Sequence, residues 1–220
     1  MKASIATISA APIRYVINTH FHFDHTGGNE KMGASGSVIV AHDNVRQRLS
    51  EGAFIKAFNH KMEPVSGPVL PVVTFNDRMS LHLNGEDARI IHVPHAHTDG
   101  DSIVHFRGSN VIHMGDTFFN DRFPFIDVPN GGSIAEMSLA AADDATVIIP
   151  GHGEVTDKVG LEAYHAMLVE AQDRIKKLKD AGKTLEEIQA ARPLEDMDAK
   201  WQTKNPDWAD MFVGFVFDSL

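Results

Sequence analysis

Six consecutive positions, His20, Phe21, His22, Phe23, Asp24 and His25, carry three imidazoles and one carboxylate. In an extended chain alternate side chains face the same way, so His20 and His22 are expected to project together. Asp24 and His25 follow at a turn and can reach a second point nearby, while Gly27-Gly28 lets the backbone fold away tightly. Imidazole nitrogens and carboxylate oxygens are ligands for zinc and its first-row neighbours. The cluster reads as the nucleus of a site for two metal ions; the bland alternative is four adjacent titratable groups with no common task. Three further candidates each stand just past a predicted strand. They are His97 in Pro94-His95-Ala96-His97-Thr98, Asp116 in Met114-Gly115-Asp116-Thr117, and His152 in Pro150-Gly151-His152-Gly153. Small residues or Pro flank each one, as a close approach of backbone to an ion requires. The seven divide into His20, His22 and His97 for one ion and Asp24, His25 and His152 for the other, with Asp116 spanning both.

The elements that must position them read as mixed α and β. Strands are predicted at Ile13 to Ile17, Gly36 to Ala41, Arg78 to Leu83, Asp87 to Val93, Ser102 to Phe106, Val111 to Met114 and Thr146 to Ile149. Asn84-Gly85 signals a hairpin, and Arg107 to Asn110 joins the next two strands in the same way. Asp43 is placed to cap a helix reaching about Phe58, with Val45, Leu49, Phe54 and Phe58 near one face. Asn59 to Phe75 reads as a long loop and Gly131 to Asp143 as a helix. After Asp157 the chain turns helical: Leu161, Tyr164, Leu168, Ala171, Ile175 and Leu178 recur at three-to-four spacing, and Gly182 ends the run. Thr184 with Glu187 forms a capping box for a short helix, and Pro206 to Leu220 reads as a last one. The whole, 1–220, is expected to be a single domain, with its metal-site core over about 13–157 and a helical C-terminal segment over about 158–220.

Composition narrows the function classes. A chain of 220 residues with 13 His and no Cys has neither a disulfide scaffold nor a thiolate metal site. A net charge of -10 argues against nucleic acid or an anionic membrane surface as partner. No run approaches the roughly 20 apolar residues of a spanning helix. The expected partner is a small-molecule substrate. Among the remaining His, His95 reads as a solvent-exposed loop residue, or else as a donor supporting His97. His92, His105 and His113 read as sheet-face histidines, and His42, His60, His82 and His165 as surface positions. Asn18, Thr19 and Thr98 adjoin ligands and could orient them, or serve ordinary turns. Asp99 and Asp101 read as loop charges. Phe118, Phe119, Phe123 and Phe125 could line an apolar pocket or pack in the core.

The pattern resembles the metallo-β-lactamase superfamily of metallohydrolases. His20 to His25 matches its H-x-H-x-D-H signature in full, and Gly115-Asp116 and Pro150 to Gly153 match its later motifs; the similarity runs from about Arg14 to Asp157. The resemblance implies an αββα sandwich with the metals at one edge of the paired sheets. The β-lactamases proper commonly place Cys or Ser where this chain has Asp116, and many carry a substrate-binding Lys shortly after it. Here that stretch is Thr117-Phe118-Phe119-Asn120, so the glyoxalase II and lactonase branches are favoured over β-lactam hydrolysis. Family members usually have several strands and a helix before the His motif, whereas only 19 residues precede His20 here. An N-terminally truncated form with an incomplete first sheet is expected, which would encourage homo-oligomers; the compartment stays open, since a leader would be lost with the missing segment.

What the resemblance implies is a dinuclear hydrolase for a small ester, thioester, lactone or amide. Two cations lower the pKa of a shared water from about 15.7 to about 7, so metal-bound hydroxide serves as nucleophile. Zinc, two per chain, is the expected cofactor, with iron or manganese as substitutes; Asp24 would be both ligand and catalytic residue, orienting that hydroxide. The competing functions are a mononuclear-iron redox enzyme such as a persulfide dioxygenase, and a chain that binds metal without turnover.

Overall fold

The computed structural model describes residues 2–134, 142–201, 205 and 207–220. A one-turn helix α1 (Lys2–Ala6) precedes β1 (Tyr15–Ile17), and the short helices α2 (Phe23–Thr26) and α3 (Asn29–Gly33) lead to β2 (Val38–His42). β2 lies parallel to β1 with Val16 opposite Ile39. Helix α4 (Asp43–Glu51) follows directly and buries Val45 and Leu49, one turn apart. Its N-cap is His42, whose Nδ1 accepts from the Asn44 N–H at 3.2 Å, while Asp43 stands in the first turn, where a negative charge meets the helix dipole. His42 is therefore buried, not at the surface, and stacks on His92 at 3.7 Å between ring centroids.

The helix predicted to reach Phe58 stops at Glu51, because Gly52 takes φ 83° and turns the chain. Ala53–Ile55 then forms β3 and pairs antiparallel with β4 (His60–Met62). β5 (Val73–Phe75) returns to lie parallel beside β2, giving a three-stranded sheet of order β1-β2-β5. The stretch predicted as a loop from Asn59 to Phe75 thus contains two strands of three residues each, too short for alternation to register.

The second sheet runs, in spatial order, β10 (Val147–His152), β9 (Val111–Phe119), β8 (Ser102–Phe106), β7 (Glu86–His92) and β6 (Arg78–Leu83). β6 (Arg78–Leu83) and β7 (Glu86–His92) pair across Asn84 and Gly85, both at positive φ as a tight hairpin turn demands. β8 (Ser102–Phe106) pairs with β7 and with β9 (Val111–Phe119), and β10 (Val147–His152) adds parallel to β9. Of the helix predicted over Gly131 to Asp143, residues 135–141 lie outside the described residues.

Three apolar clusters hold the layers. Phe21, Ala41, Val45 and Leu49 join α4 to the outer face of the first sheet. Ile17 and Phe75 pack on Ala88, Ile90 and Val104 between the two sheets. The largest cluster joins Ile112, Met114 and Ile148 of the second sheet to Leu161, Tyr164 and Leu168 of α5 (Lys158–Asp180). α6 (Leu185–Ala190), opened by the Thr184/Glu187 capping box, and α8 (Trp208–Ser219) add Ile188, Phe212, Val213 and Val216, with α7 (Asp198–Trp201) between them. The order helix, sheet, sheet, helix is the αββα sandwich, and the C-terminal helices are one of its outer layers.

Candidate metal centre

Beyond β1 the chain does not stay extended. Thr19 to Phe21 form a bend and α2 carries Asp24 and His25, so His20 and His22 meet through a turn, with ring centroids 4.9 Å apart. Asn18 and Asn29 exchange side-chain hydrogen bonds of 3.0 and 2.8 Å across the base of this loop. β9 runs on past Met114, its predicted end, so that Asp116 lies within the strand. Gly115, at φ 54°, lets β9 close on the loop, since a Cβ there would sit 2.7 Å from the Cβ of Thr19. Gly151 does the same from β10: a Cβ there would overlap the Asp116 carboxylate.

All seven predicted residues converge. Their ligand atoms form three groups whose members lie within 4.8 Å of one another: His20, His22 and His97; His20, His25 and Asp116; Asp24, His25 and His152. Asp116 Oδ2 is 3.8 Å from His20 Nε2, 3.5 Å from His97 Nε2 and 3.3 Å from His152 Nε2, and Oδ1 is 3.1 Å from His25 Nε2. Asp116 is the common neighbour of both predicted sets. Asp24 Oδ2 stands 3.4 Å from both His25 Nε2 and His152 Nε2.

The donor chemistry tests whether a metal fits. His97 Nδ1–H donates to the Phe125 carbonyl at 2.8 Å, and His22 Nε2–H donates to Asp127 Oδ2 at 2.9 Å. Each partner only accepts, so the opposite nitrogens, His97 Nε2 and His22 Nδ1, carry lone pairs; these face each other at 2.9 Å. Beside them His20 Nε2 is buried with no hydrogen-bond partner among the described residues. Only a shared positive charge relieves such an arrangement, and three convergent imidazoles suit a metal ion.

Burial pushes the His20 imidazole well below its ordinary pKa and His97 down to about 4, so both stay neutral, as ligands must. Burial would also lower His25, but Asp116 and Asp24 outweigh it and push the ring up to about 10; the same two carboxylates raise His152 to about 9. Burial would raise both carboxyls, but it is outweighed at Asp116 by His20, His152 and His25, and at Asp24 by hydrogen bonds from His152 and His25; both stay well below the usual carboxylate range.

A cavity of about 380 Å³ opens on the site, walled by Phe23, Phe58, Phe119, Phe125 and Trp208, with Arg122 on its lining. Phe118 and Phe123 instead pack in the core. Asp101, read from sequence as a loop charge, is buried and accepts from the His97 and Thr98 N–H groups at 2.6 and 2.7 Å, fixing the loop that presents His97. His95 is exposed and Thr19 Oγ1 lies 3.2 Å from His20 Nδ1. Asp127 was not among the predicted residues; it stands 105 positions from its partner His22, beyond the reach of any local spacing.

A sequence model described as the metallo-beta-lactamase superfamily matches residues 3–152. The hydroxyacylglutathione hydrolase of Rhodospirillum rubrum is 30% identical over 143 residues, covering 64% of this chain and 48% of the relative. That of Polaromonas sp. is 27% identical over 162 residues, covering 70% and 54%, so the chain spans about half the length of the curated relatives it matches. Among solved structures, a metallo-beta-lactamase from Pontibacter korlensis aligns with a TM-score of 0.58 at 18% identity, covering 76% of both chains. TTHA1623 in a di-iron-bound form aligns with a TM-score of 0.57 at 24% identity, covering 74% of this chain and 80% of that one. Those two likenesses are of fold. With a family match over 150 residues that takes in the whole His motif, Asp116 and His152, this chain belongs to the metallo-beta-lactamase superfamily.

Proposed function

We propose that the protein is a metal-dependent hydrolase of small acyl compounds, holding one divalent cation on His20, His22 and His97 and a second on Asp24, His25 and His152, with Asp116 between them. The observation that carries this reading is the convergence of five imidazoles and two carboxylates from four separate stretches of chain at the foot of one cavity. Nitrogen and oxygen donors without sulfur favour zinc, and iron or manganese suit the same set. Bound there, two cations supply Lewis acidity toward a carbonyl oxygen and acidify water.

The chain's own groups supply the rest. Among the described residues lining the cavity there is no Ser, Thr, Cys or Lys, so none of those residues offers a hydroxyl, thiol or amine to accept an acyl group. Asp24, 40% exposed at its side chain, is the acidic group at the mouth and can orient an attacking water through a carboxylate oxygen. The aromatic walls exclude bulk water and suit an apolar acyl group. The relatives named hydroxyacylglutathione hydrolase, together with the run Thr117-Phe118-Phe119-Asn120 in place of a Lys-bearing loop, favour an ester or thioester over a β-lactam.

Dialysis against a chelator should abolish hydrolysis across a panel of esters, thioesters and lactones, and zinc should restore it with two ions bound per chain. Chelator-resistant turnover would refute the reading. A single bound iron with oxygen consumption would replace it by the redox alternative.

A further inference from the structure

His22, a ligand in the proposed centre, is tied to α4 by a run of side-chain hydrogen bonds. Its Nε2–H donates to Asp127 Oδ2, and both side chains are at most 5% exposed. The same Oδ2 accepts from Asn130 Nδ2 at 2.8 Å, and Asn130 Oδ1 accepts from Arg48 Nη1 at 2.7 Å. Arg48, on α4, directs its two remaining donor groups to Asp99: Nε to Oδ1 at 2.9 Å and Nη2 to Oδ2 at 2.6 Å. Asp99 lies two residues after ligand His97, and its N–H donates to the Asn130 carbonyl at 3.0 Å. The Arg48 guanidinium also lies 5.5 Å from the ring centroid of Phe21, the fully buried residue between His20 and His22. One side chain therefore touches Asn130, which holds Asp127 against His22, Asp99, which follows His97, and the ring between His20 and His22.

We infer that Arg48 is a positioning residue for the first metal site, acting on His22 through Asn130 and Asp127 and on His97 through Asp99. This rests on the proposed metal centre. The chemistry is specific to arginine: a planar fork with five donors can hold a carboxylate at two points and a third acceptor at once, which a lysine ammonium on its flexible stem cannot do in the same geometry. Asp127 in turn fixes the proton of His22 on Nε2 and leaves Nδ1 free as a donor of electrons to a metal. Charge alone is not the device; the fork is.

The test uses the full chain with zinc or cobalt(II) and the variants R48K and D127A, with D127N as the conservative partner, since an Asn oxygen in place of Oδ2 keeps both hydrogen bonds. Zinc affinity is measured by competition with a chromophoric chelator, and the first site is read separately from the visible spectrum of the cobalt form. R48K and D127A are expected to weaken the first ion by roughly 10- to 100-fold and shift its cobalt bands, with D127N recovering most of the loss. Thermal unfolding of the metal-free proteins should be unchanged in R48K. Wild-type affinity and spectrum in both R48K and D127A would overturn the inference, as would a loss in R48K matched by a lower metal-free midpoint, which marks a structural role. If D127A does not fold, R48K at its partly exposed position decides alone. A wild-type chain that binds no metal would sink the proposed centre itself, a result distinct from normal binding by both variants.

Discussion

The two halves of the candidate centre are built differently. His20, His22 and His97 have side chains 0–5% exposed, and the second nitrogen of each is already near a threonine hydroxyl, a carboxylate or a carbonyl. Asp24, His25 and His152 are 40%, 16% and 37% exposed and pair with each other and with Asp116 instead of with a supporting shell. The first set is preorganised, and burial keeps His20 and His97 neutral. The second is held together by protons that a cation must displace. Rigidity thus lies deep in the site and adaptability at its mouth, where substrate enters.

The strongest way to break this contrast is D116A, which removes the group common to both halves. Metal content should fall from two ions toward one, and turnover by on the order of 10²–10³-fold, since a charged group at the reacting centre is lost; unchanged stoichiometry would show that Asp116 does not bridge. Next comes pH. His25 and His152, raised to about 10 and about 9 in the metal-free protein, are charged at pH 7, while His97, lowered to about 4, is neutral. Uptake of the second ion must release both of their protons, so it weakens as pH falls; zinc titrations at pH 6.5 and 8.5 should differ by on the order of 10⁴-fold for that ion, about 10²-fold per proton released, and far less for the first. Equal pH dependence for both ions would erase the distinction.

A smaller effect separates the halves by stability. H97A in the metal-free protein leaves a hole and unpaired polar groups in a buried site and should cost about 1–3 kcal/mol in denaturant unfolding. H152A, at the partly exposed mouth, should cost less than about 1 kcal/mol while losing only the second ion. Smallest is F58A on the cavity wall, whose side chain is half-exposed: KM for an apolar acyl substrate should rise roughly three- to tenfold with metal content unchanged.

The residues of the candidate centre were legible because metal chemistry constrains residue type so tightly that His20 to His25, Gly115-Asp116 and Pro150 to Gly153 stand out without any fold. Both long hairpins and α5 were legible through turn residues and apolar period. What could not be read was whatever depends on contacts distant in sequence. Phe54 and Phe58, which continue the apolar spacing of α4, belong instead to β3 and the turn after it, because Gly52 diverts the chain. His42 looked superficial, and only the approach of β7 covers it with His92. Asp127, Asn130 and Arg48 carry no spacing signal at all, since their common purpose exists only once the second sheet and α4 are in place.

Trp208 bears a wider consequence. Its ring forms part of the cavity wall, its Nε1–H donates to the Phe123 carbonyl at 2.8 Å, and the helix it begins supplies Phe212, Val213 and Val216 to the main apolar cluster. Part of the cavity wall and part of the main apolar cluster therefore come from the same stretch of chain. Selection for a new acyl group at this wall would draw on the same residues that resist thermal denaturation, so altered preference and altered robustness should arise together in any directed-evolution lineage that works through α8.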